Sequence, residues 1–234
     1  MNHISRAAIL IGLLALSACG KREPVPAPVN PDGVTGTTQT IAPTAEQLET
    51  ESSLSTKRGI VLMTAETRRF RACNGPGELP LTDQTDGLLA RVYDELGDKP
   101  LYVETFGDRD DSGNFVIEEL LYATANNIQA ACGAPLAKYE LLARGNDPTW
   151  SVEVTQDAMV VKQSGAPTEI KFTSVDTADA EGTVTYRAGV DKHVLELTVT
   201  QQACRDASSG EYYGYAASAK LDKHTLTGCA RLGE

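Results

Sequence analysis

Apolar and polar positions change their pattern three times along this chain, and the changes divide it. An unbroken apolar run over 7–16 follows the cation Arg6. A second stretch, 21–57, has almost no large apolar residue and carries Pro24, Pro26, Pro28, Pro31 and Pro43. Such a segment cannot bury a core and is expected to be a disordered stalk. From Gly59 onward apolar residues return, mostly at the two-residue period of half-buried strands.

Within 58–143, the runs 60–63 and 67–73 flank a turn at 64–66 and predict a hairpin. Asn74, Gly75, Pro76 and Gly77 then break the chain. Leu88, Leu89, Val92, Tyr93 and Leu96 sit at helical spacing, with Asp and Thr before them and Gly97 after, which predicts one helix over 84–96. The runs 101–106 and 115–122 are strand-like, and 136–142 supplies a closing strand. Five short strands around one helix predict a small OB-like barrel. Composition shifts again at 144–148, read as a domain boundary. Beyond it Trp150, Val152 and Val154 share one face, as do Ile170 with Phe172, Val184 with Tyr186, and Leu195, Leu197 and Val199, then Tyr213, Tyr215, Ala217, Ala219 and Leu221. Turn signals separate these runs. The expected fold is therefore mainly β: an OB-like barrel with one helix, then a second antiparallel β-barrel or sandwich over 144–234.

The 7–16 run is too short to cross a hydrocarbon core about 30 Å thick. It ends on Leu16-Ser17-Ala18-Cys19-Gly20, which resembles a bacterial lipobox. On that resemblance 1–18 is a lipoprotein signal peptide, Cys19 is the acylated residue, and 19–57 is a lipid-anchored linker. An ordinary secretory signal with an A-x-A-like site is the alternative, and it leaves a cysteine directly after Ala18 unexplained. Gly20, where inner-membrane lipoproteins carry Asp, implies the periplasmic face of the outer membrane.

Composition narrows the function classes. The chain has 234 residues and a formal net charge of -11. An acidic balance of this size argues against nucleic acid and against adsorption to anionic headgroups. Of five cysteines, Cys19 is taken by lipid, which leaves Cys73, Cys132, Cys204 and Cys229. In an exported protein these predict two disulfides, with three connectivities open. Cys73 with Cys132 and Cys204 with Cys229 is the expected pairing, because it keeps each bridge on one side of 144–148.

Gly145-Asn146-Asp147-Pro148-Thr149-Trp150-Ser151, Cys204-Arg205-Asp206-Ala207-Ser208-Ser209-Gly210 with Tyr212 and Tyr215, and Gly228-Cys229 together resemble a family of bacterial envelope lipoproteins. That family's form is G-N-E-P-F-W-S, C-x-D-x-M-S-G and G-C. This chain departs from it at Asp147, Thr149 and Ser208. The segment 58–142 is similar to the OB-like domain of the NlpE lipoprotein family, a resemblance that implies envelope sensing.

Candidate chemistry is sparse. Asp108, Asp110, Ser112 and Glu119, with Gly113 in the loop, have the ligand spacing of an EF-hand and offer a weak calcium alternative. Strand-like flanks favour an acidic hairpin turn instead. Arg205, Asp206, Ser209, Tyr212 and Tyr213 form a candidate recognition surface; Ser-Gly-x-x-Tyr also resembles one motif of periplasmic lysozyme inhibitors. A tight turn over core tyrosines explains the same residues. His193 and His224 read as solvated surface; Met159 with a histidine is a copper combination by analogy with NlpE, but the sequence offers no clustered soft ligands. No nucleophile, metalloprotease or phosphate-loop motif occurs. The expectation is a non-enzymatic envelope lipoprotein with a binding or stress-sensing role and no cofactor, the alternative being an inhibitor of lysozyme or a protease. Its expected partners are the membrane, through the N-terminal lipid, and an envelope protein or peptidoglycan-related partner.

Overall fold

In the computed structural model residues 56–135, 138–165 and 169–233 are described, so the leader, Cys19 and the expected stalk up to 55 lie outside the described residues, whereas 56 and 57, read as the end of that stalk, are already in a strand. Five strands build the first barrel: β1 (Thr56–Met63), β2 (Arg68–Ala72), β3 (Leu79–Asp83), β4 (Leu101–Arg109) and β5 (Phe115–Thr124). β1 pairs antiparallel with β2 and β4, β4 pairs with β5, and β2 pairs with β3. β3 then runs parallel to β5, Leu81 opposite Phe115, and closes the ring. This circuit is the Greek-key barrel of the OB type. Helix α1 (Leu88–Glu95) lies between β3 and β4 and plugs the barrel with Leu89, Val92 and Tyr93. The Thr85 hydroxyl accepts the Leu89 N–H at 2.9 Å, and Gly97 at φ 92° ends the helix. Gly59 has no room for a side chain: the Phe70 ring occupies that space and stacks on Phe115 with centroids 3.8 Å apart.

Two expectations for this barrel need correction. The closing strand is β3, which carries Pro80 and only five residues, too short to show an alternation. Residues 136–142 do not close it: 136 and 137 lie outside the described residues, and Leu141 opens β6 (Leu141–Asn146), which pairs with the last strand of the second barrel. A second short helix, α2 (Ile128–Gly133), was not expected at all.

The second barrel continues with β7 (Thr149–Thr155), β8 (Ala158–Gln163), β9 (Ile170–Thr173), β10 (Asp176–Ala180), β11 (Thr183–Val190), β12 (His193–Arg205), β13 (Tyr212–Leu221) and β14 (His224–Leu232). Successive strands pair antiparallel from β6 to β9 and from β10 to β14, and β14 returns to β6. The chain bends at Ser174, φ 65°, where it leaves β8 and joins β11. The alternating residues meet in one apolar core that includes Trp150, Met159, Phe172, Leu195, Leu197 and Ala219. Residues 144–148 sit in the β6–β7 hairpin, with a cis Asp147-Pro148 bond at its turn. The passage from one barrel to the other comes before β6, ahead of the 143/144 division expected from composition.

The barrels share hydrogen bonds. β5 pairs with β13 through Ala123 opposite Tyr212 and Tyr122 opposite Tyr213, and both barrels lie in one compact unit. Among the described residues no helix is long and apolar enough to cross a membrane.

Candidate functional site

Side chains with chemistry gather at the seam between the barrels. Tyr102 and Glu104 are two residues apart on β4, so both project to its outer side, toward β14 of the second barrel. The Tyr102 hydroxyl donates to Glu104 Oε1 at 2.7 Å, and Arg231 Nη2 of β14 donates to the same oxygen at 2.9 Å. Arg58 Nε donates to the Tyr102 oxygen at 2.7 Å, and its Nη2 donates to the Ala131 carbonyl of α2 at 2.7 Å. Arg231 also lies over the Tyr122 ring, 4.6 Å from its centroid. Tyr122 in turn meets Tyr102 and Tyr213 edge-on, with centroids 6.2 and 5.0 Å away. A small cavity of about 140 Å³ opens among Arg58, Tyr102, Glu104, Tyr122 and Arg231.

Electrostatics at the seam follow from burial. Glu104 is 5% exposed. Burial and then the Glu104 charge push the Tyr102 hydroxyl far above its ordinary range; burial and then Glu211 do the same to Tyr122 and Tyr213. These phenols are therefore neutral donors at physiological pH. Burial works to lower the Arg231 pKa, but the Glu104 carboxylate together with Tyr139, Tyr122 and Tyr102 outweighs it, and the guanidinium is held charged. Both disulfides border this cluster. Cys73–Cys132 spans Cα atoms 5.1 Å apart and Cys204–Cys229 spans 5.6 Å, the pairing expected from locality.

The three motif segments also converge. Asn146 Nδ2 donates to Asp206 Oδ2 at 2.6 Å, and Asp206 Oδ1 accepts the Ser208 amide, the Ser208 hydroxyl and the Ser209 amide. Burial alone would raise the Asp206 pKa, yet these bonds outweigh it and hold the carboxyl well below the usual range. Trp150 Nε1 donates to the Thr227 carbonyl at 3.2 Å, next to Gly228 and Cys229. Gly228 packs against the Arg144 carbonyl with no space for a Cβ. The Asn146–Asp206, Trp150–Thr227 and Gly228–Arg144 contacts tie separate segments of the second barrel together, and the Ser208 and Ser209 bonds close the turn between β12 and β13. The motif residues are the fasteners of that fold.

The proposed recognition surface is corrected accordingly. Asp206, Tyr212 and Tyr213 are buried, at 4%, 4% and 1% exposure, and cannot present themselves to a partner. Arg205 reaches across to Glu95 of α1, and Ser209 belongs to the turn that Asp206 holds. The calcium alternative is also corrected. Asp110 accepts the Ser112 and Asn114 amides in the β4–β5 hairpin turn, Asp108 bonds the Arg109 amide, and Glu119 lies in mid-strand, where Gln201 donates to it. Among the described residues no group of three or more His, Cys, Asp or Glu is placed to hold a metal ion. Met159 is fully buried in the second core. His193 Nδ1 lies 2.9 Å from Asp222 Oδ2, and His224 stands near the same carboxylate.

The seam was not legible as a site. Tyr102 and Glu104 sit in a strand whose apolar neighbours Leu101 and Val103 face the barrel, so their two-residue spacing was the available signal. Arg231 lies 127 residues beyond Glu104, and only the fold brings them together. No family model, no curated protein and no solved structure matches this chain.

Proposed function

We propose that this protein is a non-enzymatic binding or sensing module of the cell envelope, carried on an N-terminal lipid at Cys19. The observation that supports it best is the seam. Its buried carboxylate, guanidinium and tyrosines are engaged with one another, and a disulfide borders it on each side, which favours a rigid two-barrel body over a reaction centre. Paired cysteines of this kind suit an oxidising compartment, as the lipobox resemblance implies. The inhibitor alternative loses its support, because Tyr213 of the Ser-Gly-x-x-Tyr segment is in the core.

The test combines location and response. Cys19→Ser should move the protein from carbonate-washed membranes to the soluble periplasm, and overexpressing or deleting the wild type should change an envelope-stress reporter. Persistence of Cys19→Ser in washed membranes would refute the anchor. Stoichiometric inhibition of lysozyme or a protease by purified protein would replace the sensing role.

A further inference from the structure

Among the described residues β10 has one edge that no strand pairs with. β8 begins at Ala158, opposite Thr173, so β10 runs on past the end of β8 and is paired on one side only, with β11. All five β10 residues are exposed. Its hairpin turn is Glu181-Gly182, with φ 43° and 75°, the two left-handed positions of a type I′ turn. In such a hairpin the flanking pair Ala180 and Thr183 exchanges hydrogen bonds, and the bonded pairs alternate from there. Asp176, Ala178 and Ala180 therefore bond β11, while the amides and carbonyls of Thr177 and Asp179 face outward. Among the described residues no group bonds them.

Charge selects the occupant. Asp176, Asp179 and Glu181 are exposed carboxylates along this edge. The cation beside them in the ladder, Arg187, is held by Glu196 at 2.6 Å. A second copy of the same edge would set acids against acids, which is destabilising across a strand pair. An extended segment with alternating Lys or Arg would add main-chain bonds to Thr177 and Asp179 and set its cations on the face of Asp179 or on that of Asp176, since the two carboxylates lie on opposite faces of β10. We infer that β10 is a docking edge that takes a cationic, extended polypeptide segment by strand addition. This rests on the reading of the chain as a binding module and names the partner class.

The experiment uses the full-length protein in detergent and a fluorescein-labelled nonapeptide of alternating Lys and Val, with its Glu and Val counterpart as control. Anisotropy should report binding of the lysine peptide alone. Thr177→Pro deletes one outward donor and leaves every β10–β11 bond and every charge in place, so it should weaken binding at least about tenfold. Asp176→Lys with Asp179→Lys should transfer the preference to the glutamate peptide, which keeps the test decisive if the proline variant misfolds. Equal binding to wild type and a folded Thr177→Pro, or no binding, overturns the inference. So does a wild-type dimer by light scattering that Thr177→Pro splits, since a second copy would then hold the edge. If in cells the charge-reversed protein still crosslinks to the same envelope proteins as the wild type, the edge fails while the binding reading stands.

Discussion

In the core of the second barrel Met159, Phe172, Leu195 and Leu197 have no exposure and pack in an apolar cluster, whereas at the seam Glu104, Tyr102 and Tyr122 are buried against one another and against the partly buried Arg231. The first arrangement is non-directional. Its stability follows the apolar area removed from water, and volume-conserving exchanges there cost little. The second depends on angles and charges, because a desolvated carboxylate is tolerable only while its donors remain. Two backbone pairs join β5 to β13, so these side chains do much to fix how one barrel sits on the other. The barrels hold themselves together with carbon and hold each other with polar groups.

The largest test of that contrast removes the bridges that border the seam. Their cysteines are 59 and 25 residues apart, and loop closure on this scale is worth about 4 and about 3.5 kcal/mol respectively. Replacing all four cysteines by serine should lower unfolding free energy by more than any single seam substitution, read by urea titration. A loss below about 2 kcal/mol would mean that the barrels stand without the seam's staples.

A smaller effect separates the polar seam from the apolar cores. Glu104→Ala leaves the partly buried Arg231 without its carboxylate while its buried Nε already has no partner among the described residues, and Arg231→Met leaves Glu104 without its cation. Each should cost about 3 kcal/mol, the lower end for a broken buried pair because Arg231 is 26% exposed. The double variant should cost less than the sum. Additive losses below about 1 kcal/mol each would show that the pair contributes no more than a surface one.

The same contrast explains what the chain's pattern could and could not reveal. Alternation exposed β7, β12 and β13 because each presents one face to one core, as Trp150, Leu197 and Ala219 do. It missed β3, where Leu79 and Leu81 flank Pro80, and it misread 144–148 because a hairpin turn and a domain junction share Gly, Asn and Pro. Disulfide pairing was legible from locality. The seam was hidden for a physical reason: its residues are polar, lie on strands from both barrels, and owe their burial to pairing across them. Asp206 and Tyr213 read as a surface because turn residues and aromatics beside a cysteine look alike whether they face water or fasten a core.

Asp206 carries the smallest of these tests, and it adds a pH dependence. Its carboxylate accepts four hydrogen bonds, from Asn146, twice from Ser208 and from Ser209, and its folded pKa lies well below the ordinary 3.8. A depressed folded pKa means that the unfolded chain binds a proton first as pH falls. The contribution of Asp206 is thus complete above about pH 5, begins to fade as pH passes the unfolded value, and is gone once pH drops through the folded one. Asp206→Ala should cost about 1 to 3 kcal/mol at pH 7, since the Ser208 and Ser209 donors lose their acceptor. Between pH 5 and pH 2 the gap between wild type and variant should narrow, measured as urea midpoints across that range. A constant gap would mean that the carboxyl's charge is irrelevant and that Asp206 acts by shape alone. A gap that widens on acidification would contradict the hydrogen-bond account, because the bonds described here are made to the ionised form.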